Sequence, residues 1–152
     1  GCRSGGMPTT YEDLTVGDTE TFGSYTVTRE EIVEFAEQYD PQPFHVDPEA
    51  AADSPFGGLV ASGWHTASMT MRLLVTGILQ EADTRGALGV DEMRWLAPVR
   101  PGDTLTARTE IVEKEPWGEE YGKVDVRIET LVDGDVVCSM VGLVLFGRRE
   151  GE

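Results

Sequence analysis

A chain of 152 residues with 39% hydrophobic content is long enough for one globular domain with a core of its own. Its charge is lopsided, with 28 acidic against 12 basic residues, a net of −16 and only Lys114 and Lys123 as lysines, which argues against nucleic acid or an anionic membrane as partner. No apolar run reaches the roughly 18 residues of a membrane span, and the opening GCRSGG lacks the apolar core of a secretion signal. Cys2 and Cys138 make no disulfide framework and have no ligand set around them, so a reduced, cytoplasmic setting without a metal site is expected. Met7 reads as a natural start. Residues 1–8 are therefore expected to be a disordered or appended tail, and 9–150 one domain.

In chain order, TETFGSYTVT (19–28) alternates weakly and predicts a first strand. Thr28 then precedes REEIVEFAEQY with Glu31 three residues on, the spacing of a capping box at a helix start. Ile32, Phe35 and Ala36 give that helix one apolar stripe, and it stops at the Asp40-Pro41 junction. The stretch YDPQPFHVD (39–47) holds an acid and one of the two histidines five residues apart. Extended, that separation spans about 16 Å; on a helix it puts the side chains on different faces. Pro41 and Pro43 argue against a regular helix and predict a shaped loop that could curl Asp40 and His45 toward one point. Asp47 and Glu49 read as helix-start charges, and AAADSPFGG that follows is small and turn-rich.

Ser62 can cap a long helix that begins near Gly63, with Trp64, Ala67, Met71, Leu74, Ile78 and Leu79 recurring at helical spacing. Arg72 is its only ionic residue from 62 to 80, and a helix this apolar on most sides is expected to be largely buried. The rest reads as strands, at 87–99, 103–115, 122–134 and 135–147, with a Pro101-Gly102 turn joining the first two and an Asp133-Gly134 hairpin joining the last two. Strand, short helix, long helix and four antiparallel strands predict an α+β domain, a five-stranded sheet wrapped around the long buried helix.

YDPQPFHVDPEAA, then GLVASGWHTASM, then RWLAPVRPGDTL resembles the MaoC-like dehydratases, the family that includes (R)-specific enoyl-CoA hydratases, over about Tyr11 to Phe146. The resemblance implies a hot-dog fold. It also implies reversible hydration of a trans-2-enoyl thioester to the 3R-hydroxyacyl product. The family motif is an Asp, two residues later Asn-Pro, an apolar residue and a His; Asp40, Pro43, Phe44 and His45 match it. Gln42 stands where that motif has Asn, a departure that bears on loop shape and substrate choice more than on reaction type. By this resemblance Asp40 and His45 hold and activate one water. Gly63 offers the orphan N–H of a helix start to the thioester oxygen, and Ser62, Gln42 and Phe44 line the place. Ser62 reads first as a cap, and His65 as a packing residue with a satisfied hydrogen bond.

The implied ligand is an acyl chain on coenzyme A or on acyl carrier protein. It enters as substrate, and no cofactor is implied. Its phosphates need local cations, for which Arg94 and Arg100 are candidates, with Arg148 and Arg149 at the chain end. Hot-dog proteins pair their sheets, so a homodimer or larger assembly is expected. Two other readings stay open: a hot-dog acyl-CoA thioesterase, disfavoured because 62–80 holds no Asp or Glu, and a non-catalytic acyl-CoA-binding module.

Few lysines among scattered carboxylates resemble proteins of salt-loving organisms, the alternative being an ordinary acidic cytosolic protein. At about 1 M salt the Debye length is near 3 Å, which screens carboxylate self-repulsion. The melting temperature is therefore expected to rise from low to molar potassium chloride; a flat or falling curve would leave the ordinary acidic protein.

Overall fold

The computed structural model describes residues 9–149; the tail expected over 1–8 and residue 150 lie outside the described residues. Five strands, β1 (Thr19–Thr26), β2 (Thr84–Trp95), β3 (Thr104–Trp117), β4 (Tyr121–Val132) and β5 (Asp135–Gly147), form one antiparallel sheet in the order β1-β3-β4-β5-β2. The helices are α1 (Arg29–Tyr39), α2 (Pro43–Val46), α3 (Pro48–Ala52) and α4 (Gly63–Gly77). The sheet wraps α4, which is the hot-dog arrangement.

The predicted capping box is in place. Thr28 Oγ1 accepts from the Glu31 N–H at 3.2 Å and the Glu31 carboxylate turns back to the Thr28 N–H, which fixes where α1 starts. Where a loop is predicted over 41–47, the chain instead makes the single turn α2. Pro43 is its first residue, a helical position where the missing N–H forfeits no intrahelical bond. Pro48 opens α3 in the same way, with Asp47 accepting from the Glu49 N–H at 3.0 Å.

The Pro101-Gly102 turn is present, with Gly102 at φ +88° and Arg100 N–H held by Asp103 Oδ2 at 2.8 Å. The strands it joins do not pair, however. β2 lies at one edge beside β5, while β3 sits between β1 and β4, so the turn launches a crossing rather than a hairpin. β2 also ends earlier than predicted. Beyond Trp95 the Leu96 and Ala97 amides both go to Val137 O, and Val99 O accepts from Ala61 N–H at 2.8 Å, drawing the chain toward α4.

The largest correction concerns which face of α4 is buried. The inward face is His65, Thr66, Met69, Thr70, Leu73 and Leu74, whereas Trp64 and Met71 of the predicted stripe are 59% and 51% exposed. A helix apolar nearly all round does not reveal its phase through hydrophobicity alone. Thr70 can face inward because its hydroxyl is satisfied. Thr70 Oγ1 donates to Thr66 O at 2.8 Å and lies 2.6 Å from Thr130 Oγ1 on β4. On the same face Leu73 packs with Leu105, Ala107 and Val137, and Leu74 with Ile111, Val126 and Met140. The outward face of α4 (Trp64, Met71, Val75) and the edge strand β2 with its continuation (Leu88, Val90, Trp95, Leu96) leave large apolar side chains uncovered.

Candidate active site

The site is built where α1 ends and α4 begins. Asp40 is the C-cap of α1, its N–H returning to Ala36 O at 2.8 Å. Gln42 N–H bonds Asp40 O and His45 N–H bonds Gln42 O, at 2.7 and 2.9 Å, so the five-residue interval is wound up instead of spanned. His45 Nε2 comes to 3.4 Å from Asp40 Oδ2. The other ring nitrogen, Nδ1, lies 2.7 Å from the backbone carbonyl of Val60. A carbonyl only accepts, so Nδ1 carries the proton in neutral His45, and Nε2 presents its lone pair toward Asp40. His45 is buried, while Asp40 keeps some exposure, its side chain at 19%.

Three neighbours hold the carboxylate. Gln42 Nε2 donates to Asp40 Oδ1 at 2.6 Å, and Ser62 Oγ donates to Oδ2 at 2.7 Å. Burial pushes the Asp40 carboxyl up, but the hydrogen bonds from Gln42 and Ser62, joined by the attraction of His45 when it is protonated, outweigh it and hold it below the ordinary carboxylate range. Asp40 is thus an anion near neutral pH. Gln42 fills by one bond the role of a carboxylate orienter. Ser62 is the predicted cap and more: the same oxygen accepts from the Trp64 N–H at 3.3 Å, tying the start of α4 to Asp40.

The first turn of α4 supplies the remaining feature. The Trp64 amide goes to Ser62 Oγ, and the His65 and Thr66 amides both go to Ser62 O at 3.0 Å. Among the described residues the Gly63 N–H has no partner, and it carries the positive end of a fifteen-residue helix. Phe44 stands edge-on to His45 with ring centroids 4.5 Å apart and tilts against Phe56 at 5.2 Å, forming an aromatic side to the site.

The arginine candidates separate. Arg100 reaches the neighbouring loop, donating to Phe56 O at 2.6 Å. Arg94 does not come to the site: it pairs in register with Ser139 on the outer sheet face, in a shallow groove with Glu92, Arg127 and Glu129, because side chains alternate along a strand and the next residue, Trp95, points to Gly63. Arg148 and Arg149 are engaged with Gly118 and with the Tyr11–Asp13 turn. His65 packs as predicted, stacked on Phe35 at 4.7 Å, but its Nδ1 has no hydrogen-bond partner among the described residues. Sequence reasoning missed the Val60 carbonyl, which leaves no trace in residue type, and Trp95, which stands inside the RWLAPVRPGDTL stretch. No group of three or more His, Cys, Asp or Glu among the described residues is arranged to hold a metal ion. A separate apolar cavity of about 570 Å³ lies by the C-terminal half of α4, lined by Phe22, Leu74, Ile78, Ile111 and Phe146. Leu74 is eleven residues, or about 17 Å of helix, beyond Gly63.

The family model described as MaoC like domain matches residues 14–133. The chain belongs to the MaoC-like family. Its structure is similar to that of the MaoC-like dehydratase from Rhodospirillum rubrum, at 43% identity and TM-score 0.85, covering 92% of this chain and 97% of that one. It is also similar to the (R)-hydratase from A. caviae involved in PHA biosynthesis, at 25% identity and TM-score 0.68, covering 88% and 97%. The 3-hydroxybutyryl-CoA dehydratase of Methylorubrum extorquens is 33% identical over 142 residues, 92% of this chain and 85% of that protein. Each of these three relatives is named as a hydratase or a dehydratase.

The unpartnered nitrogen of His65 has a measurable consequence. Burial pushes its pKa down, with the Glu31 carboxylate pulling the other way. The unfolded chain then binds a proton that the folded chain refuses, so this contribution is present above about pH 6.5 and is lost as pH falls below it. His65→Phe keeps the stack on Phe35 and removes the titration. Urea midpoints measured from pH 8 to pH 5 are expected to fall less steeply for His65→Phe than for the parent. Parallel curves would show that His65 does not contribute.

Proposed function

We propose that the protein hydrates trans-2-enoyl-CoA to 3R-hydroxyacyl-CoA, and runs the reverse dehydration, with Asp40 and His45 as the acid–base pair. The observation that carries the reading is the convergence of two proton acceptors, Asp40 Oδ2 and His45 Nε2, 3.4 Å apart beside a helix-start amide that has no partner among the described residues. A water between them can donate one hydrogen to each. Its oxygen adds to C3 while one proton passes to the pair, and C2 receives a proton on the same face. Charge developing on the thioester oxygen is met by the Gly63 N–H, with the dipole of α4 behind it. Proton transfer alone accounts for the reaction, so no cofactor is called for. The 3R outcome is supported by the similarity to the (R)-hydratase, and coenzyme A as carrier by the similarity to the 3-hydroxybutyryl-CoA dehydratase. Arg100 is the cation best placed for a carrier phosphate.

Asn in place of Asp40 keeps size but cannot take a proton; Gln in place of His45 keeps reach but cannot cycle one. Each single change is expected to lower hydration of crotonyl-CoA by a factor on the order of 10² to 10⁴. The double variant should lose little more than either single, because groups that share one water act as a unit. Asp40→Asn should also cost about 1 kcal/mol or more in stability, since the carboxylate accepts from both Gln42 and Ser62. Loss of the conjugated thioester absorbance, with chiral analysis of the product, reads the outcome. An Asp40→Asn protein at the parent rate would refute the pair, and a 3S product would reject the facial assignment alone.

We also propose that the working unit is a homodimer. β2 presents an open edge, and Leu88, Val90 and Leu96 beside it lie uncovered together with Met71 and Val75 of α4. Pairing β2 with a second copy would close the edge and cover those side chains. Light scattering at micromolar protein in high salt is expected to give at least twice the 16.6 kDa chain mass; a monomer would sink the proposal.

A further inference from the structure

Trp95 closes β2 and lies against the first residue of α4. Its indole N–H donates to Gly63 O at 2.8 Å. A Cβ built on Gly63 would come within 2.4 to 2.7 Å of three indole atoms, so the ring fills the volume a side chain at 63 would take. Trp64 meets the same indole edge-on at 5.2 Å. Trp95 pairs in register with Cys138, which is buried, so the indole is carried by a strand position held next to the core.

These contacts bear on the one first-turn amide that lacks a partner among the described residues. The carbonyl of Gly63 belongs to the first turn and would otherwise accept only along the helix. A second donor from outside holds that turn in place, and with it the Gly63 N–H on the same residue. The ring also shields one side of the helix start from water, which raises the worth of an exposed amide as a donor to developing negative charge. Gly63 and Trp95 thus form a matched pair. Glycine lets the indole approach, and the indole makes any larger residue at 63 collide.

We infer that Trp95 is a positioning residue for the Gly63 N–H, acting on the thioester oxygen through that amide and not by contact with the reacting atoms. The inference rests on the hydratase reading. It predicts an effect on turnover more than on substrate capture, because a donor matched to the developing oxyanion stabilises the transition state beyond the bound substrate.

The test uses the full chain with crotonyl-CoA. Trp95→Phe keeps the ring and drops the N–H; kcat is expected to fall roughly tenfold at near-parent KM. Trp95→Ala also opens the helix start to water, and kcat should fall about a hundredfold. Gly63→Ala alone must displace the indole and should lose turnover to a similar degree. Added to Trp95→Ala, where the methyl has room, it should cost little more. Melting curves and near-ultraviolet circular dichroism establish which variants are folded, and Trp95→Phe keeps the test decisive if Trp95→Ala does not fold. Parent kcat in folded Trp95→Phe overturns the inference. So does a set of variants whose melting temperatures fall while kcat per folded molecule holds, since that is what mere structural support would give. A parent inactive on every enoyl-CoA ester overturns the hydratase reading and this inference with it. That outcome is distinct from an active parent whose Trp95 variants match it.

Discussion

The hydrogen bond from Ser62 Oγ to Asp40 Oδ2 joins the two halves of the site. Asp40 belongs to the end of α1 and Ser62 to the start of α4, elements 22 residues apart in the chain. One oxygen of Ser62 donates to the carboxylate and accepts from the helix amide at Trp64, so the place where α4 begins and the place where Asp40 points are one geometric decision. The remaining parts follow from it. Gln42 occupies the second carboxylate oxygen, His45 is brought up by the single turn of α2, and the amide left over in the first turn of α4 is Gly63. An anion held by directed donors keeps its charge despite partial burial, as the lowered pKa of Asp40 reflects.

His45 is fixed from the opposite direction. Val60 O accepts the hydrogen bond from His45 Nδ1–H, and the Val60 N–H returns to Phe44 O at 3.2 Å, so the segment before α4 both sets the tautomer and clamps the turn that carries the histidine. Arg100 in turn holds that segment through Phe56 O, and the Arg100–Asp103 turn is bonded to Val27 at the end of β1. The site is therefore supported by backbone contacts from several elements. The acidic surface stands apart from this. Cross-strand pairs such as Arg127 with Glu110 and Arg108 with Glu129 occupy the outer sheet face, and exposed pairs of this kind contribute little to stability.

Two apolar regions divide the labour along α4. Its N-terminal half meets Asp40 and His45 and packs near Val27, Ile32 and Leu105, while its C-terminal half borders the cavity lined by Phe22 and Phe146. The outward side of the same helix keeps Trp64, Met71 and Val75 at the surface. An outer face this apolar explains why the helix reads as buried all round when only its sequence is considered.

The sequence by itself determined what depends on near neighbours. The capping box of α1, the Ser62 cap and the Asp133-Gly134 hairpin rest on contacts within a few residues, and each is in place. Asp40, His45 and Gly63 stand out as candidates because their types and order are themselves the signal. The single turn at Pro43 was misread as loop, since proline at a first helical position looks the same as proline that prevents a helix. Tertiary structure alone decided the rest. Which side of α4 faces the sheet was settled by Thr70 finding Thr130, a pairing across 60 residues. Arg94 points away from the site because the alternation of β2 gives the inward position to Trp95, and β2 and β3 part because each finds a different neighbour. The partner of His45 Nδ1 is a main-chain carbonyl, which every residue possesses, so no choice of amino acid at position 60 could have announced it.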